Sequence, residues 1–386
     1  MENKKKSKKK MKKILFISTR DPYSGRYSGD VIGSKKIINI LKKKNVLDVV
    51  CLGEKNFSQK NIFKFKQPFF LSKIFYVFKS LILFQPLQFG LFFSKKMKKF
   101  ISSRADNYDL IFFYHIRSAQ YLPKSFKGKK IIEMGDLYSS NYLQSFDNLN
   151  LFNPLKYVYL LESLLVKKVE RNIFTKFDKI ILFSKDEIKK VDKLFIKKII
   201  HINVSIEKIK KKYIFSNKNK KILFIGNLKY LPNNLAIKNF IKNILPKLEK
   251  KIPDVSLEVI GDMNKINKVF LSMHKNVKFL GLQKNIDKYI KGSFCGLANL
   301  TIATGIQGKV LSYMSYGLPV ICSRKVASNF NKNVLNYRND AELINKIISL
   351  KNNRKLSTHI SKKSLRFINN FTWKKISTRY LSIIKN

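Results

Sequence analysis

The chain has 386 residues, enough for two domains with separate cores, and 45% of them are hydrophobic, as in an ordinary globular protein. Its 79 Lys and Arg against 24 Asp and Glu give a formal charge of +55, which points to an acidic partner such as nucleic acid, anionic lipid or an anionic substrate. The excess is mostly lysine, spread along the whole chain among many Ile, Asn and Phe, a pattern that AT-rich coding bias also produces. Three cysteines far apart (Cys51, Cys295, Cys322) exclude a disulfide framework or a C-x-x-C metal site and suit a reducing cytoplasm.

Residues 1–12 read as a Lys-rich tail that runs into a strand at 12–18 without the apolar stretch of a signal peptide. A loop at 19–30 and a helix over 31–41 follow. Further strands are expected at 46–52, 109–115, 129–134, 179–184 and 198–203, with an amphipathic helical run over 158–174. Residues 57–100 break this rhythm. They are aromatic, apolar and basic, and Lys73, Lys79, Pro86 and Gly90 interrupt them, so they fit an amphipathic segment at a membrane surface or a pair of helices packed on the first sheet.

After the polar stretch 210–219 the pattern restarts. KKILFIGN (220–227) echoes the first strand, a helix is expected over 234–250, and strands at 256–261, 276–281, 293–299 and 319–323. This alternation predicts two Rossmann-like halves, 13–209 and 220–370, with a ligand cleft between them and a closing segment at 371–386.

Residues 304–321 carry the most chemical information. They read as a glycine loop, a helix over 309–316, a stop at Gly317 and a buried strand opened by Pro319. Lys309 is the only charged residue between Gly292 and Ile321. A cation at a helix N-terminus opposes the helix dipole, and makes sense where an anion sits on the free N–H groups. The bland alternative is a structural corner with Lys309 in water. No D-x-D pair, P-loop, G-x-G-x-x-G or G-x-S-x-G occurs, and His115, His201, His274 and His359 lack metal-ligand spacing. Nor is there an RNP-type strand, so specific nucleic-acid binding has little support.

These segments together resemble the family 4 glycosyltransferases of the GT-B fold, of the bacterial polysaccharide and lipopolysaccharide type. The resemblance is carried by ILFISTRDPYSGRYSGD, QPLQFGLFFSKKM (85–97), IIEMGDLYSSNY (131–142), FDKIILFSKDE (177–187), ILFIGNLKYLPNNLAIKNFIKNILP (222–246), TGIQGKVLSYMSYGLPVI and FTWKKISTRYLSII (371–384). It implies an α/β, GT-B architecture with two parallel-sheet domains facing across a cleft, and a last helix that crosses back to the first domain. It implies a transferase moving a sugar from a nucleotide-sugar to a glycan or lipid-linked acceptor, retaining and metal-independent, with no cofactor.

By the same resemblance, Gly226, Asn227 and the stretch Gly305, Ile306, Gln307, Gly308, Lys309 cradle the diphosphate. Gly281 and Gln283 lie near the base, and Gly29 approaches the sugar-phosphate from the first domain. His115 is read as a sugar-hydroxyl contact or a satisfied structural histidine, Asp136 as a sugar or acceptor contact or a helix N-cap. Lys229 is read as a phosphate-binding cation or an exposed loop lysine. Thr304 and Ser312 stand where the wider family carries two glutamates, which puts donor affinity in question and keeps open a non-catalytic binding protein. A nucleic-acid-binding protein is the more distant alternative. The expected location is cytoplasmic, peripheral at the inner face of the membrane through 57–100 and the basic tail.

Overall fold

The computed structural model describes residues 11–25 and 28–385. Most of the basic tail expected at 1–12 lies outside the described residues. The first sheet is built from β1 (Lys13–Ser18), β2 (Val46–Gly53), β3 (Phe57–Gln59), β4 (Ile62–Lys66), β5 (Leu110–Tyr114), β6 (Lys129–Gly135), β7 (Lys179–Leu182) and β8 (Ile199–His201). Its order is β3-β4-β2-β1-β5-β6-β7-β8, parallel except for the β3–β4 hairpin. The second contains β9 (Lys221–Ile225), β10 (Ser256–Ile260), β11 (Val277–Phe279), β12 (Ser293–Ala298), β13 (Val320–Ser323) and β14 (Leu335–Tyr337), in the order β11-β10-β9-β12-β13-β14 and parallel throughout.

Parallel sheets carry helices on both faces, so their central strands are apolar on both sides. Ile14 to Ile17 and Ile222 to Phe224 are accordingly buried without alternation. In each sheet the strand order reverses beside the first strand, between β1 and β5 and between β9 and β12. Crevices form outside the carboxyl ends of strands at such reversals. The chain after β1, after β5, after β9 and after β12 therefore forms the candidate ligand-binding edges.

The segment 57–100 is not one amphipathic unit. Its start extends the first sheet as β3–β4, and helices Phe70–Ile82, Leu87–Leu91 and Lys95–Ser102 follow. Among the described residues no helix is long and apolar enough to cross a membrane. Two further helices, Asp340–Asn352 and Arg354–Ile368, pack in the second half.

Two segments tie the halves together. Backbone N–H groups of Lys210 to Tyr213 bond to the carbonyls of Ser315 and Tyr316, and Lys210 and Lys212 both pair with Asp287. The last helix, Trp373–Lys385, buries Ile376, Tyr380, Ile383 and Ile384 against Ile14, Phe16 and Phe112 of the first sheet. The Tyr380 hydroxyl donates to the buried Glu133 carboxyl, which desolvation pushes up to about 8. Tyr380→Phe is expected to cost ~1–3 kcal/mol, because a buried acceptor loses its donor while the packing stays. Urea unfolding at neutral pH checks this.

Candidate active site

Two glycine-dependent contacts build the second-domain half of the cleft. Gly226 follows β9, and a Cβ there would lie 2.9 Å from the Asn233 side chain. The glycine thus makes room for the Asn233 amide, which donates to the Asn227 carbonyl at 2.9 Å. The same amide accepts from the Lys309 ammonium at 2.6 Å. Gly261 lies against the Gly226 carbonyl, and its N–H donates to the Gly281 carbonyl at 3.0 Å. Gly226, Asn227, Gly281 and Lys309 therefore share one region. Gln283 folds back onto the Leu280 carbonyl.

Lys309 stands in the first turn of helix Gly308–Tyr316, which starts at Gln307 without a side-chain cap and stops at Gly317 in the left-handed conformation. Its ammonium lies 3.8 Å from the centre of the Phe224 ring. Among the described residues no carboxylate lies within ion-pair distance of it. Desolvation lowers its proton affinity, to about 7. The lysine does not point into water: an amide oxygen and an aromatic face hold it beside free helix N–H groups. Ser312 is half-buried one turn further along the same helix. Lys229 is placed differently. It pairs with Asp262 at 2.7 Å and is about half exposed, so its charge is already balanced.

The first-domain half is built on the ends of β5, β6 and β1. His115 closes β5 with φ 65° and ψ 155°, a conformation nearly restricted to glycine that costs about 1–3 kcal/mol. Its Nδ1 lies 3.2 Å from the Tyr138 hydroxyl, and Met134 offers the ring a backbone bond. Burial pulls the imidazole down to about 4, against the opposing pull of Asp30, so the ring is neutral at pH 7. Asp30 is ion-paired with Arg20 across the first loop. Gly29 opens helix Gly29–Lys42, with open space around it.

Asp136 is not a helix cap. The helix Tyr138–Asp147 has Leu137 at that position, and no side chain caps it. The carboxyl instead faces the second domain. A Cβ on Gly305 would fall 1.7 Å from Asp136 Oδ1, and Gly305 has φ 60°, so only glycine fits the turn. Oδ1 is buried and has no hydrogen-bond partner. Desolvation raises the carboxyl to about 6.

Polar side chains from separate segments close the cleft around this contact. Asn141 donates to Thr304 Oγ1 at 3.0 Å and to the Tyr230 hydroxyl at 3.0 Å. Gln144 accepts from the Ala303 N–H at 3.0 Å. Ser184 donates to Asn329 at 2.7 Å, and Asn329 donates to the Gly305 carbonyl at 3.0 Å. Gln307 donates to the Thr304 carbonyl at 2.9 Å, and Ile306 packs on the second core. Arg20, Asp30, Asn141, Gln144, Asn233 and Asn329 were absent from the sequence reading. Only Asn233 carried a local signal, in the LPNN run after Tyr230.

The comparisons bear on this geometry. Residues 219–353 match the family model described as glycosyl transferases group 1. No curated protein matches the chain. Among solved structures, TarM from S. aureus aligns at 16% identity and TM-score 0.56, covering 75% of this chain and 57% of its own. The chain thus spans just over half the length of TarM. Anabaena HepE, solved with UDP and glucose, aligns at 12% identity and TM-score 0.67, over 97% of this chain and 100% of its own. A glycosyltransferase from Rickettsia africae aligns at 13% identity and TM-score 0.57, over 97% and 98%. The fold is GT-B, two Rossmann-like domains with parallel sheets across a cleft. Over residues 219–353 the second domain is thus similar to the group 1 glycosyltransferases.

Glu187 lies behind Asp136, 3% exposed, and burial together with the Asp136 charge pushes it up to about 9. Below about pH 4.5 folded and unfolded chains both hold this proton. As pH rises toward 9 the unfolded chain releases it and the folded one keeps it, so stability falls by up to about 1.4 kcal/mol per pH unit. Glu187→Gln is expected to flatten the fall in unfolding free energy between pH 5 and 8, read by urea titrations across that range.

Proposed function

We propose that the protein transfers a sugar from a nucleoside-diphosphate sugar to a glycan or lipid-linked acceptor in cell-surface polysaccharide biosynthesis. The observation that carries this is Lys309, a desolvated cation held by an amide oxygen and an aromatic face at an uncapped helix N-terminus. A diphosphate supplies the charge such a site lacks. The loop 305–309 with Gly226 and Asn227 holds that diphosphate, while Gly281 and Gln283 flank the base. The HepE complexes contain UDP, glucose and UDP-glucose, which makes a UDP-sugar the first donor to try.

As the bond to the sugar breaks, negative charge grows on the leaving diphosphate. Lys309 and the helix N–H groups stabilise that charge in a desolvated setting, so no divalent ion is required. Gly29, at the opposite helix N-terminus, faces the sugar-phosphate. Neutral His115 offers a ring nitrogen to a sugar hydroxyl, and the unpartnered Asp136 oxygen accepts from a sugar or acceptor hydroxyl. Retention of configuration follows from the family resemblance. Thr304 is engaged with Asn141, and Ser312 offers a hydroxyl where the family has a carboxylate, which predicts a weaker hold on the donor ribose. The site of action is the cytoplasmic face of the membrane, with peripheral contact through 57–100 and the basic tail.

Thermal unfolding with UDP-, GDP-, ADP- and CMP-sugars tests the donor site, since a ligand that binds the folded state raises the midpoint. One nucleotide-sugar is expected to stand out. Lys309→Met is expected to abolish that shift without lowering the midpoint of the free protein, because it removes a desolvated charge. An equal shift with pyrophosphate or sulfate overturns the assignment. Ser312→Glu is expected to tighten the donor about tenfold, an added charge-assisted bond of roughly 1.5 kcal/mol, measured by calorimetric titration.

A further inference from the structure

Arg117 is held in place by groups that do not cancel its charge. It stands in the 3-10 helix Ile116–Tyr121 at the end of β5, two residues after His115, and is half-buried. Its Nε donates to Gln88 Oε1 at 2.8 Å, and the guanidinium carbon lies 4.6 Å from the centre of the Phe92 ring. The Tyr142 hydroxyl accepts a further bond from it. Among the described residues no carboxylate lies within ion-pair distance of it. Glu162 senses its charge but turns both oxygens to the N–H groups of Leu87 and Gln88, at 2.7 and 3.2 Å. Taking a cation partly out of water without an opposite charge costs free energy, which an arriving anion recovers.

Other cations at the cleft are paired. Arg20 is bound to Asp30 and Lys229 to Asp262. Lys309 is not paired, and it is assigned above to the donor diphosphate. Arg117 is its counterpart on the opposite wall. The partners that hold it, Gln88, Phe92 and Tyr142, all come from the first domain, whereas Lys309 and Asn233 belong to the second. The anion that Arg117 lacks is therefore sought on the ligand that the first domain binds.

The surface beside Arg117 suits a sugar ring. Tyr138 and Tyr142 stand one turn apart on helix Tyr138–Asp147. The Tyr138 hydroxyl lies 3.2 Å from His115 Nδ1. Tyr142 stacks on Tyr159 of helix Pro154–Lys176, with ring centres 5.9 Å and planes 24° apart. All three rings are half-buried. Such rings offer flat apolar faces with polar edges, which match the C–H face and hydroxyl rim of a pyranose. Arg117 edges this platform through its bond to Tyr142. Gln88 and Tyr142 engage two of its five N–H groups and leave three. A planar guanidinium meets a carboxylate through two parallel bonds, and the single charges balance.

We propose that Arg117, beside the Tyr138 and Tyr142 rings, binds the carboxylate of an acidic sugar, and that the acceptor saccharide carries such a residue, of the uronic acid class. Arg117 is then a specificity-determining residue: it selects the acceptor by charge, while His115 and Asp136 meet hydroxyls. Calling this sugar the acceptor rests on the transfer reading above; the carboxylate site itself does not.

Thermal unfolding of the full chain with methyl glucuronide, methyl glucoside and glucose 6-phosphate at millimolar concentrations tests it. Methyl glucuronide is expected to bind roughly tenfold more tightly than methyl glucoside, the weight of one charge-assisted bond. Arg117→Met is expected to make the two equal. Arg117→Lys keeps the charge and removes the planar fork, and is expected to reduce the preference to about threefold; it is the variant to read if Arg117→Met lowers the midpoint of the free protein. Equal binding of the two glycosides by the unaltered chain, or no response to methyl glucuronide, overturns the proposal. So does a full preference in either variant. Glucose 6-phosphate binding as tightly as methyl glucuronide overturns the choice of a carboxylate. A glucuronide preference without any nucleotide-sugar shift keeps the carboxylate site and removes the transfer reading. A nucleotide-sugar shift without that preference does the reverse, so the two fail separately.

Discussion

The cleft depends on one desolvated ammonium. Lys309 sits at the positive end of a helix dipole, on a phenylalanine face, with an amide oxygen rather than a carboxylate opposite. Each of these choices leaves its charge available. A carboxylate would neutralise it, and water would screen it. Phe224 comes from the end of β9, Asn233 from the helix after it, and Asn233 fits only because residue 226 has no side chain. The second half of the cleft is thus an arrangement for keeping one cation unpaired, at a cost in proton affinity that burial makes plain.

The rest of the molecule brings a second strand-order reversal opposite the first. The carboxyl end of β5 presents His115 in a strained backbone and β6 presents Asp136, while the loop after β12 presents Gly305. Two segments hold this facing geometry. The segment 210–213 is bonded to the end of the Lys309 helix, and the last helix is buried in the first sheet through Ile376, Tyr380 and Ile383. The chain crosses between domains twice, once at 210–213 and once at the last helix.

Much of this was legible in the sequence, for a physical reason. Buried parallel strands need unbroken apolar runs, and ILFI at 14–17 and ILF at 222–224 declare themselves. Lys309 was conspicuous because it is the only charge in the thirty residues from Gly292 to Ile321. The short strands β3, β4 and β14 were missed. The first two sit in a basic aromatic stretch whose composition suggests a helix or a surface segment, and Leu335–Tyr337 is too short to show a period. The cleft-closing side chains left no signal. Asn141, Gln144 and Asn329 are ordinary surface amides in their own helices and loops, and their role exists only once two domains meet. Composition marked 57–100 as unusual, but the outward face of helix Pro154–Lys176 was read as ordinary amphipathicity, since periodicity shows that one side is apolar and not which way it faces.

The contacts that close the cleft are of the kind that come apart easily. Asn141 to Thr304, Gln144 to Ala303 and Asn329 to Gly305 are neutral hydrogen bonds, each worth about 0.5–1.5 kcal/mol net of water. Closure also buries Asp136 against Gly305 with one oxygen unpaired, and that burial is what raises its proton affinity. Above pH 6 the buried Asp136 carboxyl therefore carries a charge that no hydrogen bond to Oδ1 offsets. A hydroxyl delivered to that oxygen, together with an anion on Lys309, would remove both penalties at once. Ligands at these two points would favour the inter-domain contacts far more than the protein does alone, which is the behaviour the proposed transfer reading requires.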